Sequence, residues 1–245
     1  DVNVTDNDGY RDESEYSRYS TTGRLDGFIG DETSYKTILS YTHVDQGGVS
    51  GLEADDYHNN PKLNFYHNDV GRREVDALRL STEIAYEPDN SKLFTLTPFF
   101  RDNQMKLMPS WMLSYDANDR DYQFQSFGML AKYRQKFNEL KAEIITGIDI
   151  DYSPSTYEEI RLTTTQDGDI YTDTTPTGRV NYDFEADQIS VSPYVHGEWQ
   201  ALDRLRLTSG VRYDYFYVDY NDNLSSSVAE TQAGFGGFTH LRPDS

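Results

Sequence analysis

The chain offers 42 acidic residues, 22 basic residues, five histidines and no cysteine along 245 positions. Without cysteine there is no disulfide, no thiolate metal site and no thiol nucleophile. The histidines, His43, His58, His67, His196 and His240, form no His-x-x-x-His pair or other metal motif. Acidic groups at Asp55-Asp56, Asp116/Asp119/Asp121 and Asp167/Asp169/Asp173 raise the question of calcium. None completes the binding loop that needs a Gly and a later Glu. There is no Gly-x-Ser-x-Gly elbow, and Gly234-Phe235-Gly236-Gly237 is a flexible loop rather than a phosphate cradle. Paired carboxylates are plentiful, but with so many acids their coincidence means little. Catalysis, a resident metal and a cofactor are therefore not expected.

What remains is recognition. His58 and His67 share a long loop with Tyr57, Phe65, Tyr66 and Arg72, an aromatic and basic mixture able to meet an iron chelate or a haem. A solvated loop is the ordinary alternative. A second loop carries Met105, Met108, Trp111 and Met112 beside Asp116, Asp119 and Asp121. This apolar tip either touches a ligand or folds against other loops, unless Trp111 is an interfacial anchor. The candidate ligand contacts are Tyr57, His58, Tyr66, His67, Arg72 and Trp111.

The elements that must carry these loops are strands. Leu205, Leu207, Ser209, Val211, Tyr213, Tyr215 and Tyr217 alternate with Arg206, Thr208, Gly210, Arg212 and Asp214. That is the period of a strand with one apolar and one polar face. The same alternation runs through 78–86, 142–151 and 189–199. Pro98 and Pro193 interrupt it, since proline has no N–H for a ladder. Short polar turns fall at 30–33, 88–91, 138–141 and 202–204, each between two strand-like runs. Long connections, read as lacking a helical pattern, fall at roughly 46–72, 105–120, 153–183 and 221–245. Four hairpins result, with strands of about a dozen residues or more, longer than the usual five or six.

Long strands with short turns at one end and long loops at the other describe a transmembrane β-barrel. No run approaches the ~18 apolar residues of a membrane-spanning helix. The mean hydropathy of -0.78 fits a barrel whose interior and loops are charged. The formal charge of -20 disfavours a nucleic-acid partner. Tyrosines at strand ends (Tyr86, Tyr152, Tyr213, Tyr215, Tyr217) suit an aromatic girdle, although tyrosine is also simply a good strand former. Asp1 brings no Met and no targeting signal, and the other end lies in a Gly-rich polar stretch, so the segment reads as part of a longer protein.

The run Leu205-Arg206-Leu207-Thr208-Ser209-Gly210-Val211-Arg212-Tyr213-Asp214, just after the turn Leu202-Asp203-Arg204, resembles a barrel strand of TonB-dependent outer-membrane receptors. Val191–Trp199 is similar to the down-strand before such a turn, and Leu93–Phe100 to an up-strand. The family-motif strand is Gly210, Val211, Arg212, Tyr213 and Asp214. The resemblance implies a barrel of about 22 strands with a plugged lumen. Residues 1–245 would supply about eight of these strands, without the plug domain or the C-terminal strands. It further implies a Gram-negative outer-membrane transporter. The expected ligand is a ferric siderophore, or else haem, cobalamin or a glycan, with TonB acting through the plug. Outer-membrane lipid and lipopolysaccharide are the expected surroundings, and the acidic loops would be solvated or bridge lipopolysaccharide cations. A passive porin, a barrel enzyme and an adhesin are the alternatives, and specificity is expected in the loops.

Overall fold

The computed structural model describes residues 1–67, 70–108, 113, 115 and 117–224. They form one antiparallel sheet of long strands. The strands are β1 (Val2–Asn7), β2 (Tyr16–Ile29), β3 (Thr33–Gly47), β4 (Arg72–Asp89), β5 (Lys92–Leu107), β6 (Asn118–Phe137), β7 (Ala142–Asp167), β8 (Ile170–Leu202), β9 (Leu205–Arg212) and β10 (Tyr215–Asp222). Each pairs with its sequence neighbour, except that β9 and β10 both lie along β8. The described strands do not close on themselves, so the all-β, antiparallel partial barrel of the sequence reading holds, with the four hairpins in place. One further edge strand, β1, precedes them.

β9 and β10 share one register along β8, from Gln200↔Arg206 to Phe184↔Asp222, interrupted at Tyr213 and Asp214; Leu202↔Leu205 lies past a one-residue shift beside the short turn. The break faces Pro193, which has no N–H to give to the ladder; the Tyr213 amide still donates to the Pro193 carbonyl at 3.0 Å. Pro98 acts similarly: the β4–β5 ladder skips from Ser81↔Phe99 to Ile84↔Leu96, while Pro98 keeps its place opposite Met129.

Two expectations about the long connections are corrected. The 46–72 connection contains a short helix, α1 (Ala54–Asn59), too brief to show a period; Asp55 and Asp56 stand in its first turn, where acids are favourable, and Asn59 Nδ2 donates to Asp55 Oδ1 at 2.8 Å. The 153–183 stretch is not a loop. β7 and β8 run on as a hairpin to a turn at Gly168, whose φ of 62° suits glycine. Its Thr- and Asp-rich composition looks like a loop, but threonine is also a strand former.

Opposed residues share a face, so the register draws rows across the sheet. On the apolar face one row reads Leu39, Leu80, Phe100, Phe127, Tyr152, Ile189 and Tyr217. Nearer the short turns another reads Tyr86, Phe94, Tyr133, Thr146, Val195 and Val211. Rings touch along both, with centroids 4.4 Å apart for Phe94–Tyr133 and 5.0 Å for Phe100–Phe127. The rows between them are largely aliphatic. This face is exposed: Leu80, Leu96, Ile144 and Val195 lie open, with no layer of the described residues over them. An apolar sheet face of this extent needs an apolar environment.

Buried hydrophobic residues occur instead where the long connections meet the extended β7–β8 hairpin. Tyr66, Val70, Leu113, Ala117 and Leu162 form a small core joined by Met108 and Tyr171. Backbone bonds tie it together: Tyr171 N–H donates to Phe65 O at 2.7 Å, His67 N–H to Tyr171 O at 3.0 Å and Leu162 N–H to Ala117 O at 2.8 Å. The connections thus brace one another at one end of the sheet.

Candidate functional site

The polar face carries its chemistry at the long-connection end. One row there is Arg18, Val44, Val75, Met105, Tyr122, Tyr157, Phe184 and Asp222, contributed by seven consecutive strands and then β10. The row beyond it is Tyr16, Gln46, Arg73, Leu107, Arg120, Glu159 and Tyr182. Tyr122 and Tyr157 pack at 4.5 Å, Tyr157 and Phe184 at 5.3 Å, Phe184 and Tyr220 at 5.0 Å, and Tyr157 and Tyr182 at 6.1 Å between centroids. An aromatic patch therefore spans β6, β7, β8 and β10. Its outer surface is open: Tyr122 is 36% exposed and Tyr220 50%.

Glu159, in the row beyond, holds the patch. It is 5% exposed and accepts from Arg120 Nε at 2.8 Å, Tyr157 Oη at 2.7 Å and Asn181 Nδ2 at 3.0 Å. Burial, then the bond to Glu159, raises the Tyr157 phenol far above its ordinary value, so it remains a neutral donor. Arg120 is held above its ordinary value: burial pulls it down, but the Glu159 charge outweighs this.

Arginine dominates the charge of this end of the polar face. Arg18, Arg73, Arg79, Arg101 and Arg120 lie in the patch rows and the two below them, against the carboxylates Glu159 and Asp222. Arg79 and Arg101 are directly opposed, which like charges disfavour. Arg101 is paired with Asp151 at 2.6 Å and lies over the Phe99 ring at 5.0 Å. Arg18, Arg73 and Arg79 are exposed and have no ion-pair partner among the described residues. The opposite face at the same level is acidic, with Asp45, Glu74, Asp76, Asp121, Glu158 and Glu185 in two adjacent rows.

The sequence-derived candidates occupy several places. Tyr57 and His58 meet edge-to-face at 5.4 Å on α1. With Tyr10, Arg11, Ser50, Gly51, Leu52 and Pro61 they line an open cavity of about 700 Å³. Tyr66 is 7% exposed and belongs to the small core, its phenol raised by burial and by Tyr171. His67 stands 4.0 Å from Glu13. Arg72 forks onto Asp45 at 3.0 and 2.6 Å on the apolar-face side of the sheet. Trp111 lies outside the described residues. Of the five that are described, Tyr57 and His58 are brought together around this cavity. Tyr10 and Arg11, in the β1–β2 connection, escaped the sequence reading, as did the whole aromatic patch.

The strand that carries Gly210, Val211, Arg212, Tyr213 and Asp214 is held by ion pairs on one face and close packing. Arg212 reaches Asp149 at 2.6 Å and Asp214 at 2.7 Å on the polar face. Val211 and Tyr213 stand on the apolar face, and a Cβ on Gly210 would come 3.2 Å from the His196 ring. Elsewhere, donor atoms of His43, Glu74 and Asp76 lie within 4.8 Å of one another across β3 and β4. Asp76 already accepts from Tyr41 Oη at 2.6 Å and contacts His43 Nδ1 at 3.0 Å. Burial pushes its carboxyl up, but those two bonds outweigh it and hold it below the ordinary value.

A long-stranded antiparallel sheet with one bare apolar face, short turns at one end and braced connections at the other defines a membrane β-barrel segment. The family model described as "TonB dependent receptor-like, beta-barrel" matches residues 2–240, and the chain belongs to that family. Among solved structures it is similar to the ferric citrate transporter FecA in its unliganded form, at 16% identity and a TM-score of 0.68 over 87% of this chain and 31% of that one. It is also similar to the ferric-catecholate import receptor Fiu from E. coli K12 in its closed form, at 13% identity, a TM-score of 0.65 and coverage of 90% and 37%. A third is the siderophore receptor PiuA from Acinetobacter baumannii, at 12% identity, a TM-score of 0.64 and coverage of 92% and 39%. The chain spans about a third of the length of those structures. No curated protein matches.

Proposed function

We propose that this chain is part of the barrel of an outer-membrane importer that takes up a ferric siderophore under TonB control. The observation that carries the reading is the aromatic and arginine patch at the long-connection end of the polar face. It is where a ligand arriving from outside would first meet the barrel wall. The bare apolar face then meets outer-membrane lipid, and the acidic rows beside it face the lipopolysaccharide region. The similarity to a ferric citrate transporter and to two siderophore import receptors supports the ligand class. Tyr57 and His58, with Tyr10 and Arg11, add a loop contact at the long-connection end, and His67 and Trp111 serve as further ligand contacts. Tyr66 and Arg72 serve by holding the loop. TonB acts through a plug domain supplied by the rest of the receptor.

The test is radiolabelled iron uptake by cells whose only siderophore receptor is the whole protein. Uptake that saturates and stops when TonB is deleted is the expected result. Uptake that is linear in concentration and indifferent to TonB would mean a passive pore.

A further inference from the structure

We infer that the ligand is an anionic, aromatic ferric chelate of the catecholate type rather than a neutral hydroxamate; this rests on the importer reading above and names its substrate more closely. The chain as a whole carries a charge of -20, so an acidic surface is the default everywhere on it. The mouth of the polar face departs from that default. Arg18 and Arg73 are exposed there without carboxylate partners among the described residues, in the patch row and the row next to it. Strands lie about 4.8 Å apart and rows about 7 Å apart, which places Arg73 on β4 roughly 12 Å from Tyr122 on β6, and Arg18 on β2 roughly 19 Å from it.

The two halves of the surface select for different properties. The Tyr122, Tyr157, Phe184 and Tyr220 rings present faces and edges onto which flat aromatic rings stack, a contact hydroxamate arms cannot make. The arginines favour negative charge, and guanidinium planes stack on aromatic rings as well. A small non-aromatic anion such as ferric citrate satisfies only the cationic half. A neutral trihydroxamate satisfies neither.

The whole receptor, purified in detergent, should be titrated with three probes: a ferric tris-catecholate, a ferric trihydroxamate and ferric citrate. The expected result is at least tenfold tighter binding of the catecholate than of either competitor. Its affinity should fall with added salt, as interaction with exposed charge requires. Arg73→Gln, at an exposed position, should weaken the catecholate severalfold and reduce its salt dependence; Arg18→Gln, farther from the rings and acting only through its charge, should do so by a smaller factor. Tyr157→Ala should weaken it without changing the salt dependence. Tighter binding of the trihydroxamate or of ferric citrate overturns the inference and leaves the importer standing. So does catecholate binding indifferent to salt and to both arginine variants. Failure to bind or import any of the three overturns the importer reading together with the inference.

Discussion

Replacing Glu159 should loosen the aromatic patch without unfolding the barrel. Its carboxylate is almost fully buried and takes three hydrogen bonds, from Arg120, Tyr157 and Asn181. Glu159→Gln keeps the shape and an acceptor but removes the charge. Charge-assisted bonds exceed neutral ones by about 1–2 kcal/mol, which is the expected cost. Glu159→Ala also strands the Arg120 guanidinium, whose side chain is 18% exposed. Breaking a buried pair from one side costs about 3–5 kcal/mol, and the residual exposure of Arg120 argues for the lower end. At 1.4 kcal/mol per decade, about 3 kcal/mol is roughly a hundredfold more frequent local opening. Hydrogen exchange on the whole receptor reads this directly: amides 157–160 should exchange about a hundredfold faster in Glu159→Ala and about tenfold faster in Glu159→Gln. Amides 144–150, deeper in β7, should not change. Unchanged exchange at 157–160 in Glu159→Ala would refute the claim that this buried acid holds the patch.

Gly128→Val should impair barrel assembly, because a Cβ there would come 2.2 Å from Phe99 Cζ and 2.7 Å from the Ile150 carbonyl; the yield of heat-modifiable folded barrel in membranes checks it. Asp151→Asn leaves Arg101 facing Arg79 with its charge less well matched, since Asp151 takes bonds of 2.6 Å from Arg101, Ser126 and Ser153. With Arg101 40% exposed the loss is about 1 kcal/mol, seen as a lower temperature of gel-mobility conversion. The depressed Asp76 carboxyl contributes stability that is fully present above the ordinary value of about 3.9 and is lost as pH falls through its lower folded value. Exchange at 42–45 should therefore accelerate on acidification through that range in the native receptor, and Asp76→Asn should remove the acid-dependent step.

Much of the fold was legible because alternation needs no knowledge of partners. Residues 205–217 separate into two faces by counting alone, and the short turns announce themselves by Gly30, Asp89 and Asn138. β1 was missed because Val2–Asn7 is short and mostly polar. The β7–β8 extension was missed because Thr163, Thr164 and Thr165 read as loop until Thr175, Thr174 and Asp173 are seen opposite them. The patch was illegible for a deeper reason: Tyr122, Tyr157 and Phe184 become neighbours only through register, which composition does not encode. The loop candidates were chosen by residue type, which cannot tell exposed Tyr57 from buried Tyr66.

The most direct test is the position of the iron in a ferric chelate complex of the whole receptor, located by its anomalous scattering. The account predicts iron over the polar face, within about 10 Å, or two strand spacings, of the Tyr157 ring and on the side toward Arg73. Iron held by loops with the Tyr122, Tyr157 and Phe184 rings uncovered would contradict it.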